Sequence, residues 1–234
     1  MQNTYSIKAT ARIAGLLYFL QIPLGVFGII YIPQVLFVPN DLSATISNIL
    51  ANESMFRMSV VSAIVCALVT VLTAYFIHKV LRPVDKTLAR LIVIFTCIVT
   101  PITMLNELNH IAILLILKNN EIKAAFSTNQ IHSAIRFFIE LHHYGLQIAN
   151  IFFGLWLLPM GYLVIKSGYI PKIIGYLLLL TCFGYLVDFM AFYLFPDFNF
   201  KLSEYTWLGE VLMVLWLLLK GVKLEEYQKL YPTS

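Results

Sequence analysis

Charge is scarce in this chain. Asp, Glu, Lys and Arg make up 12% of its 234 residues, and the formal net charge is only +4. So small a surplus, spread over short loops, reads as membrane topology and contact with anionic lipid and gives no nucleic-acid surface. Cysteine is equally sparse: Cys66, Cys97 and Cys182 have no CxxC spacing and an odd count, so they read as small core hydrophobes and not as a redox pair. No long polar linker, internal repeat or low-complexity segment divides the chain, which predicts one helical domain over residues 1–234. The strand–turn–helix elbow that presents a hydrolase serine is also missing. No small-x-small cleavage site follows the first apolar run, so that run is read as a retained helix, not a signal peptide.

What is abundant is apolar sequence, at 60% of residues. It falls into six long runs: Ala11–Pro33, Phe56–Lys79, Leu88–Leu117, His142–Lys166, Pro171–Phe195 and Tyr205–Lys220. About 20 apolar residues form a helix long enough to cross roughly 30 Å of hydrocarbon. Only helices or closed barrels satisfy the backbone there, and runs of this length are helices. The expectation is an all-α, polytopic membrane protein: a bundle of about six transmembrane helices in a cell membrane.

Punctuation supports these limits. Ser167-Gly-Tyr-Ile-Pro171 makes a tight turn, and Lys220-Gly221 closes the last run. Asp41 is a good N-cap for a short surface helix carrying Leu42, Ile46, Ile49 and Leu50 at helical spacing. Ser127-x-x-Gln130 resembles a capping box, so the fourth helix starts above the bilayer and either projects or bends near Gly145.

Orientation follows from the basic residues. With both termini in the cytoplasm, Lys8, Arg12, Lys79, Arg82, Lys86, Arg90, Lys166, Lys172, Lys220, Lys223 and Lys229 lie inside, 11 of the 16 in the chain. Arg57, Lys118, Lys123, Arg136 and Lys201 lie outside.

The chemistry is carried by polar residues within the runs, where an ionisable side chain is by default a candidate site. Arg136, Glu140, His143, Gln147 and Asn150 step by four and three along one helix, and Thr96, Thr100, Thr103, Glu107 and His110 do the same on another. Such stripes face the bundle interior or water. At 1.5 Å per residue, Glu107 and Asp188 stand ~25 Å above the inner boundary, whereas Glu210 and Gln21 lie near the midplane at ~15 Å. The innermost part of the spans carries only Thr, Ser and Cys. The pattern is a vestibule open outward and sealed inward.

Several motifs carry a resemblance. They include Arg12-Ile-Ala-Gly-Leu-Leu-Tyr18, Asn52-Glu-Ser-x-Phe-Arg57, Leu81-Arg-Pro-Val84 and Leu141-His-x-Tyr-Gly145. Gly161-Tyr-Leu-x-x-x-Ser-Gly168, Tyr185-x-x-Asp188 and Gly209-Glu210 with Leu215-Trp216 complete the set. The chain resembles a bacterial multi-pass integral membrane family catalogued as a domain of unknown function. The resemblance covers nearly the whole chain and implies an integral membrane fold in a bacterial inner membrane, with no established activity. It singles out Arg57, His142, Asp188 and Glu210; His143 and Glu107 fall outside the matching motifs.

Three readings follow. In the first, Arg57, His142, His143, Gln147, Asp188 and Glu210 line an outward-facing pocket that binds a small polar ligand, ion or lipid headgroup from the extracytoplasmic side. In the second, Glu107-x-x-His110 and Glu140-x-x-His143 join Asp188 and Glu210 as the ligand set of a di-metal enzyme, with di-iron or zinc as cofactor. Against it, Glu210 lies ~10 Å below Asp188 in depth. In the third, these groups only hold the bundle together or face a protein partner, with membrane lipid around them. The first reading carries no cofactor. The inner half shows no charge and no Gly/Pro-broken helix pair, which argues against a transporter.

Overall fold

The computed structural model describes residues 4–195 and 201–231. It is all-helical, 87% by residue, with no strand among the described residues. The helices are α1 (Thr4–Gly25), a π-helical stretch (Val26–Tyr31), α2 (Ile32–Leu36), α3 (Leu42–Ala51), α4 (Glu53–Leu81), α5 (Lys86–Asn106) and α6 (Leu108–Lys118). They continue with α7 (Asn120–Ala125), α8 (Thr128–Leu155), α9 (Leu157–Ser167), α10 (Lys172–Leu194), α11 (Ser203–Thr206), α12 (Leu208–Leu219) and α13 (Leu224–Leu230).

Five stretches are long and apolar enough to cross a membrane: Ile7–Leu36, Glu53–Leu81, Lys86–Lys118, Thr128–Ser167 and Lys172–Leu194. Their outward side chains are apolar. Met58, Val61, Leu105, Leu115 and Phe183 are all more than half exposed, as lipid-facing residues of an integral membrane protein are. The sixth apolar run folds as α12, 12 residues long and preceded by the single turn of α11. At 1.5 Å per residue α12 spans only ~18 Å.

Prolines explain the interruptions. Pro159 has no N–H to offer the Leu155 carbonyl and its ring crowds it, so the long fourth helix breaks between Leu155 and Leu157. The interruption therefore lies at Trp156, and α8 runs through Gly145 without one. Pro33 follows the π-helical stretch, where Ile32 N–H reaches back five residues to the Phe27 carbonyl. The two anticipated caps form: Asp41 Oδ1 accepts from Ala44 N–H at 2.8 Å, and Gln130 Oε1 accepts from Ser127 N–H at 2.9 Å.

The chain divides into two compact units. The larger comprises residues 1–21, 68–100 and 147–234. Its core gathers Tyr18, Ile77, Leu81, Ile92, Trp156, Leu163, Leu178 and Leu217. Here α9 and α10 form a hairpin whose turn depends on Gly168 at φ 72°, a left-handed position where a Cβ is penalised. Some polar groups inside this unit bond to one another, while Tyr18 Oη, His78 Nδ1 and the indole nitrogens of Trp156 and Trp216 are buried without a hydrogen-bond partner among the described residues. Gln21 Nε2 donates to Thr73 Oγ1 at 2.7 Å, and Thr70 Oγ1 donates to Gln21 Oε1 at 2.8 Å. Lysine ammonium groups lie over aromatic rings: Lys79 over Tyr75 at 4.3 Å, Lys166 over Tyr162 at 5.7 Å and Lys223 over Trp216 at 6.0 Å. Tyr169 donates its hydroxyl to the Val80 carbonyl at 2.7 Å and meets Tyr227 of α13 edge-on. Burial pushes the phenols of Tyr169 and Tyr227 above their ordinary range, so both stay neutral donors.

The smaller unit comprises residues 22–67 and 101–146. Its core is Ile32, Leu36, Ile49, Phe56, Ile113, Leu114, Leu117 and Ile135. Ser62 Oγ donates to the Leu24 carbonyl at 2.9 Å beside the π-helical stretch. It is this unit that holds the candidate site.

Candidate functional site

Three side chains converge inside the smaller unit: Glu107 and His110, one helical turn apart, and His142 from α8. They are 4%, 2% and 6% exposed. Glu107 occupies the irregular position between α5 and α6, so a distortion of the helix coincides with the acid. The i, i+3 spacing puts Glu107 and His110 on one face, with His110 Nδ1 3.1 Å from Glu107 Oε2. From the facing helix, His142 Nε2 lies 3.1 Å from Glu107 Oε1. The two imidazoles stack with centroids 3.7 Å apart and planes inclined by 23°.

The surroundings fix this arrangement. Asn106 donates its amide to the His142 backbone carbonyl at 2.9 Å, and Asn109 donates to Asn106 Oδ1 at 3.0 Å. A Cβ on Gly145 would overlap the Asn106 side chain, so only glycine lets α8 come this close. Phe56 and Phe37 wall the His110 ring at 5.1 and 6.0 Å. The carboxylate is thus buried among two imidazoles, with asparagine and phenylalanine side chains packed around them.

Its electrostatics are unbalanced. No lysine or arginine pairs with Glu107 among the described residues; the cations Arg57 and Lys118 are both taken by Glu53, at 2.8 Å each. Each imidazole satisfies one Glu107 oxygen by donating a ring N–H. A neutral imidazole has only one N–H, so His110 Nε2 is then a bare lone pair. It is buried and has no hydrogen-bond partner among the described residues.

The other sequence candidates fall as follows. Arg57 is exposed and paired with Glu53 four residues earlier. His143 sits on the exposed side of α8, its ring edge-on to Tyr144, while its neighbour His142 is buried. Glu140 is also exposed and lines a cleft of ≈ 570 Å³ with His132, Ser133, Arg136 and Asp41. Arg136, Glu140 and His143 of the polar stripe are thus on the exposed side of α8.

In the larger unit, Gln147 is buried and accepts from the Asn150 amide at 3.2 Å. Asp188 accepts from the backbone N–H groups of Leu202 and Ser203 at 2.6 and 2.9 Å, capping α11. Glu210 lies in the first turn of α12, half-buried, where a carboxylate suits the helix N-terminus.

Sequence reasoning found Glu107, His110 and His142 but not their grouping, and it missed Asn106. An asparagine directly before Glu107, inside an apolar run, was the available signal for it.

An all-helical, membrane-embedded chain with a buried carboxylate held between two histidines is the class that fold and site define. Residues 13–221 match the model of the family described as Domain of unknown function (DUF4386), and the chain belongs to that family. It is also similar to an uncharacterized protein of Archaeoglobus fulgidus, 30% identical over 170 residues that cover 72% of this chain and 86% of the relative. No solved structure matches it.

Proposed function

We propose that this protein is a membrane-embedded binder of a small polar ligand or ion, reached from the extracytoplasmic side and held by Glu107, His110 and His142. One observation carries the reading: an acid and two imidazoles are buried together in spans where ionisable groups are costly, and one imidazole nitrogen is left over. A cluster kept only for stability gains nothing from burying that nitrogen without a partner.

In this reading both termini are cytoplasmic and the membrane is a bacterial inner membrane. The split of basic residues supports that orientation, as do the lysines Lys79, Lys166 and Lys223 seated on aromatic rings at helix ends assigned to the inner face. Anionic lipid is the companion partner on that face. A cleft of ≈ 490 Å³ lined by Lys8, Lys220, Lys223 and Trp216, with Glu225 and Glu226 beside them, offers it a small surplus of positive charge. Arg136 and His132 in the outer cleft offer a first contact for an arriving polar molecule.

A structural reading fits part of the molecule. The cap that Asp188 provides and the Gln21–Thr70–Thr73 bridge need no ligand. These groups stabilise helices in the larger unit, and binding is assigned to the smaller one.

Native mass spectrometry of protein released directly from its membrane tests the reading. Wild type retains a ligand or ion that Glu107→Gln loses, while Asp188→Asn keeps it. Equal retention in wild type and Glu107→Gln removes the site.

A further inference from the structure

The smaller unit also specifies the chemistry of what it binds. We infer that the Glu107, His110 and His142 cluster is a mononuclear site for a divalent transition-metal ion of the zinc class, with one coordination position left open. The inference rests on the binding reading above and names its ligand.

The donor set makes the first argument. Two imidazole nitrogens and one carboxylate oxygen suit zinc and its first-row neighbours, whereas calcium and magnesium require oxygen cages and copper(I) prefers sulfur. One ligand atom from each residue lies within 4.8 Å of the others. Ligands at ~2.0–2.1 Å from a tetrahedral ion stand roughly 3.4 Å apart. His110 Nδ1 stands 3.1 Å from Glu107 Oε2 and His142 Nε2 3.1 Å from Oε1, so rotations of these side chains bring one oxygen and both nitrogens to a single ion.

Charge and the surplus nitrogen make the second and third. The carboxylate is buried and paired with no lysine or arginine among the described residues, so a dication supplies the missing positive charge. On binding, each imidazole moves its one proton to the ring nitrogen away from Glu107, and the nitrogen that faced the carboxylate presents its lone pair to the ion. His110 Nε2 is buried with no hydrogen-bond partner among the described residues, so only Glu107 holds the ring in its present tautomer, and an ion on Nδ1 displaces no other contact. The hydrogen bond from Asn106 to the His142 backbone and the close seat at Gly145 hold α8 in place, as an outer shell does around metal ligands.

Stoichiometry follows from the neighbours. Glu140 and His143, which would complete a second ion on the same helices, are on the exposed side of α8. Three protein ligands and one open position are the pattern of sites that bind water or a small anion on the metal.

The test uses the full chain in detergent or nanodiscs, loaded with cobalt(II) as a spectroscopic stand-in and counted by elemental analysis. Expected are one equivalent per chain and visible bands of a tetrahedral ion. His142→Ala, His110→Ala and Glu107→Gln abolish stoichiometric loading. His143→Ala and Glu140→Gln leave it unchanged.

Because an alanine variant could fail through misfolding, His142→Cys is the decisive companion. Cysteine keeps a metal ligand, so it retains cobalt and adds a sulfur-to-cobalt charge-transfer band that a purely structural role would not produce. Wild type that binds under a tenth of an equivalent, or His142→Cys without that band, overturns the metal assignment. If metal is absent but native mass spectrometry finds an organic ligand lost in Glu107→Gln, the binding site stands and only its ligand class was wrong. If neither is retained, both readings fall.

Discussion

Asp188 and Glu107 are both acids inside apolar helices, and they are held in opposite ways. Asp188 spends both oxygens on backbone N–H groups of Leu202 and Ser203. Those donors belong to the fold and have no other use, so the acid is a cap. Glu107 is held by two side chains, His110 and His142, which are themselves metal and proton ligands. An acid whose partners are backbone amides is finished; one whose partners are imidazoles can exchange them for a ligand. The difference teaches that burial of an ionisable group in a membrane does not by itself mark a site. The identity of its partners does.

The sharpest way to break this comparison is to remove the close approach that builds the Glu107 cluster. Gly145→Val drives a branched side chain into Asn106. We expect a loss of about 1–3 kcal/mol from overpacking, with loss of ligand as His142 moves off Glu107. Thermal unfolding together with native mass spectrometry reads both effects. Unchanged ligand content would mean the Asn106 contact does not position His142.

Next in size is Asp188→Ala, which removes the cap of α11. The expected cost is about 1–2 kcal/mol, read as a lower thermal midpoint, with ligand content unchanged. Ligand loss in this variant would erase the contrast between the two acids.

A smaller effect is expected from Gln21→Leu, which removes the polar bridge to Thr70 and Thr73. Hydrogen bonds between membrane helices average about 0.6 kcal/mol, and a destabilisation of that order is predicted. A loss of several kcal/mol would place more of the bundle's stability in this bridge than in apolar packing.

The smallest belongs to Glu140→Gln. Its side chain is exposed in the cleft it shares with Arg136, so stability changes by less than about 0.5 kcal/mol and ligand content stays the same. A clear loss of either would return the second Glu-x-x-His motif to the site.

Much of the architecture was legible before any coordinates. Four apolar runs became spans within a few residues because length and hydropathy are properties of the chain alone, whereas the span of the fourth run starts at Thr128, well before His142. The caps at Asp41 and at Ser127 with Gln130 were readable because their donors and acceptors are local. The i, i+3 relation of Glu107 to His110 was readable for the same reason.

What stayed hidden depends on how one helix is rotated against another. Spacing placed Glu140 and His143 on one face of α8 but could not say that this face is the exposed one, leaving His142 to reach Glu107. The family motif containing Leu141-His-x-Tyr-Gly145 did point to His142, and packing supplies the reason: Gly145 admits Asn106, and Asn106 fixes the His142 backbone. Asp188 looked functional because its two partners arrive from residues 14 and 15 positions later, beyond any local pattern. The break at Trp156 was written in Pro159, yet a continuous apolar run concealed it.

The adjacent histidines therefore provide the most direct test of the whole account. Bound metal per chain should be measured for His142→Ala and His143→Ala, purified side by side and checked for equal folding. The account predicts loss of the ion in the first and about one equivalent in the second. Equal metal content in both variants would contradict the central claim that Glu107, His110 and His142 form the binding site.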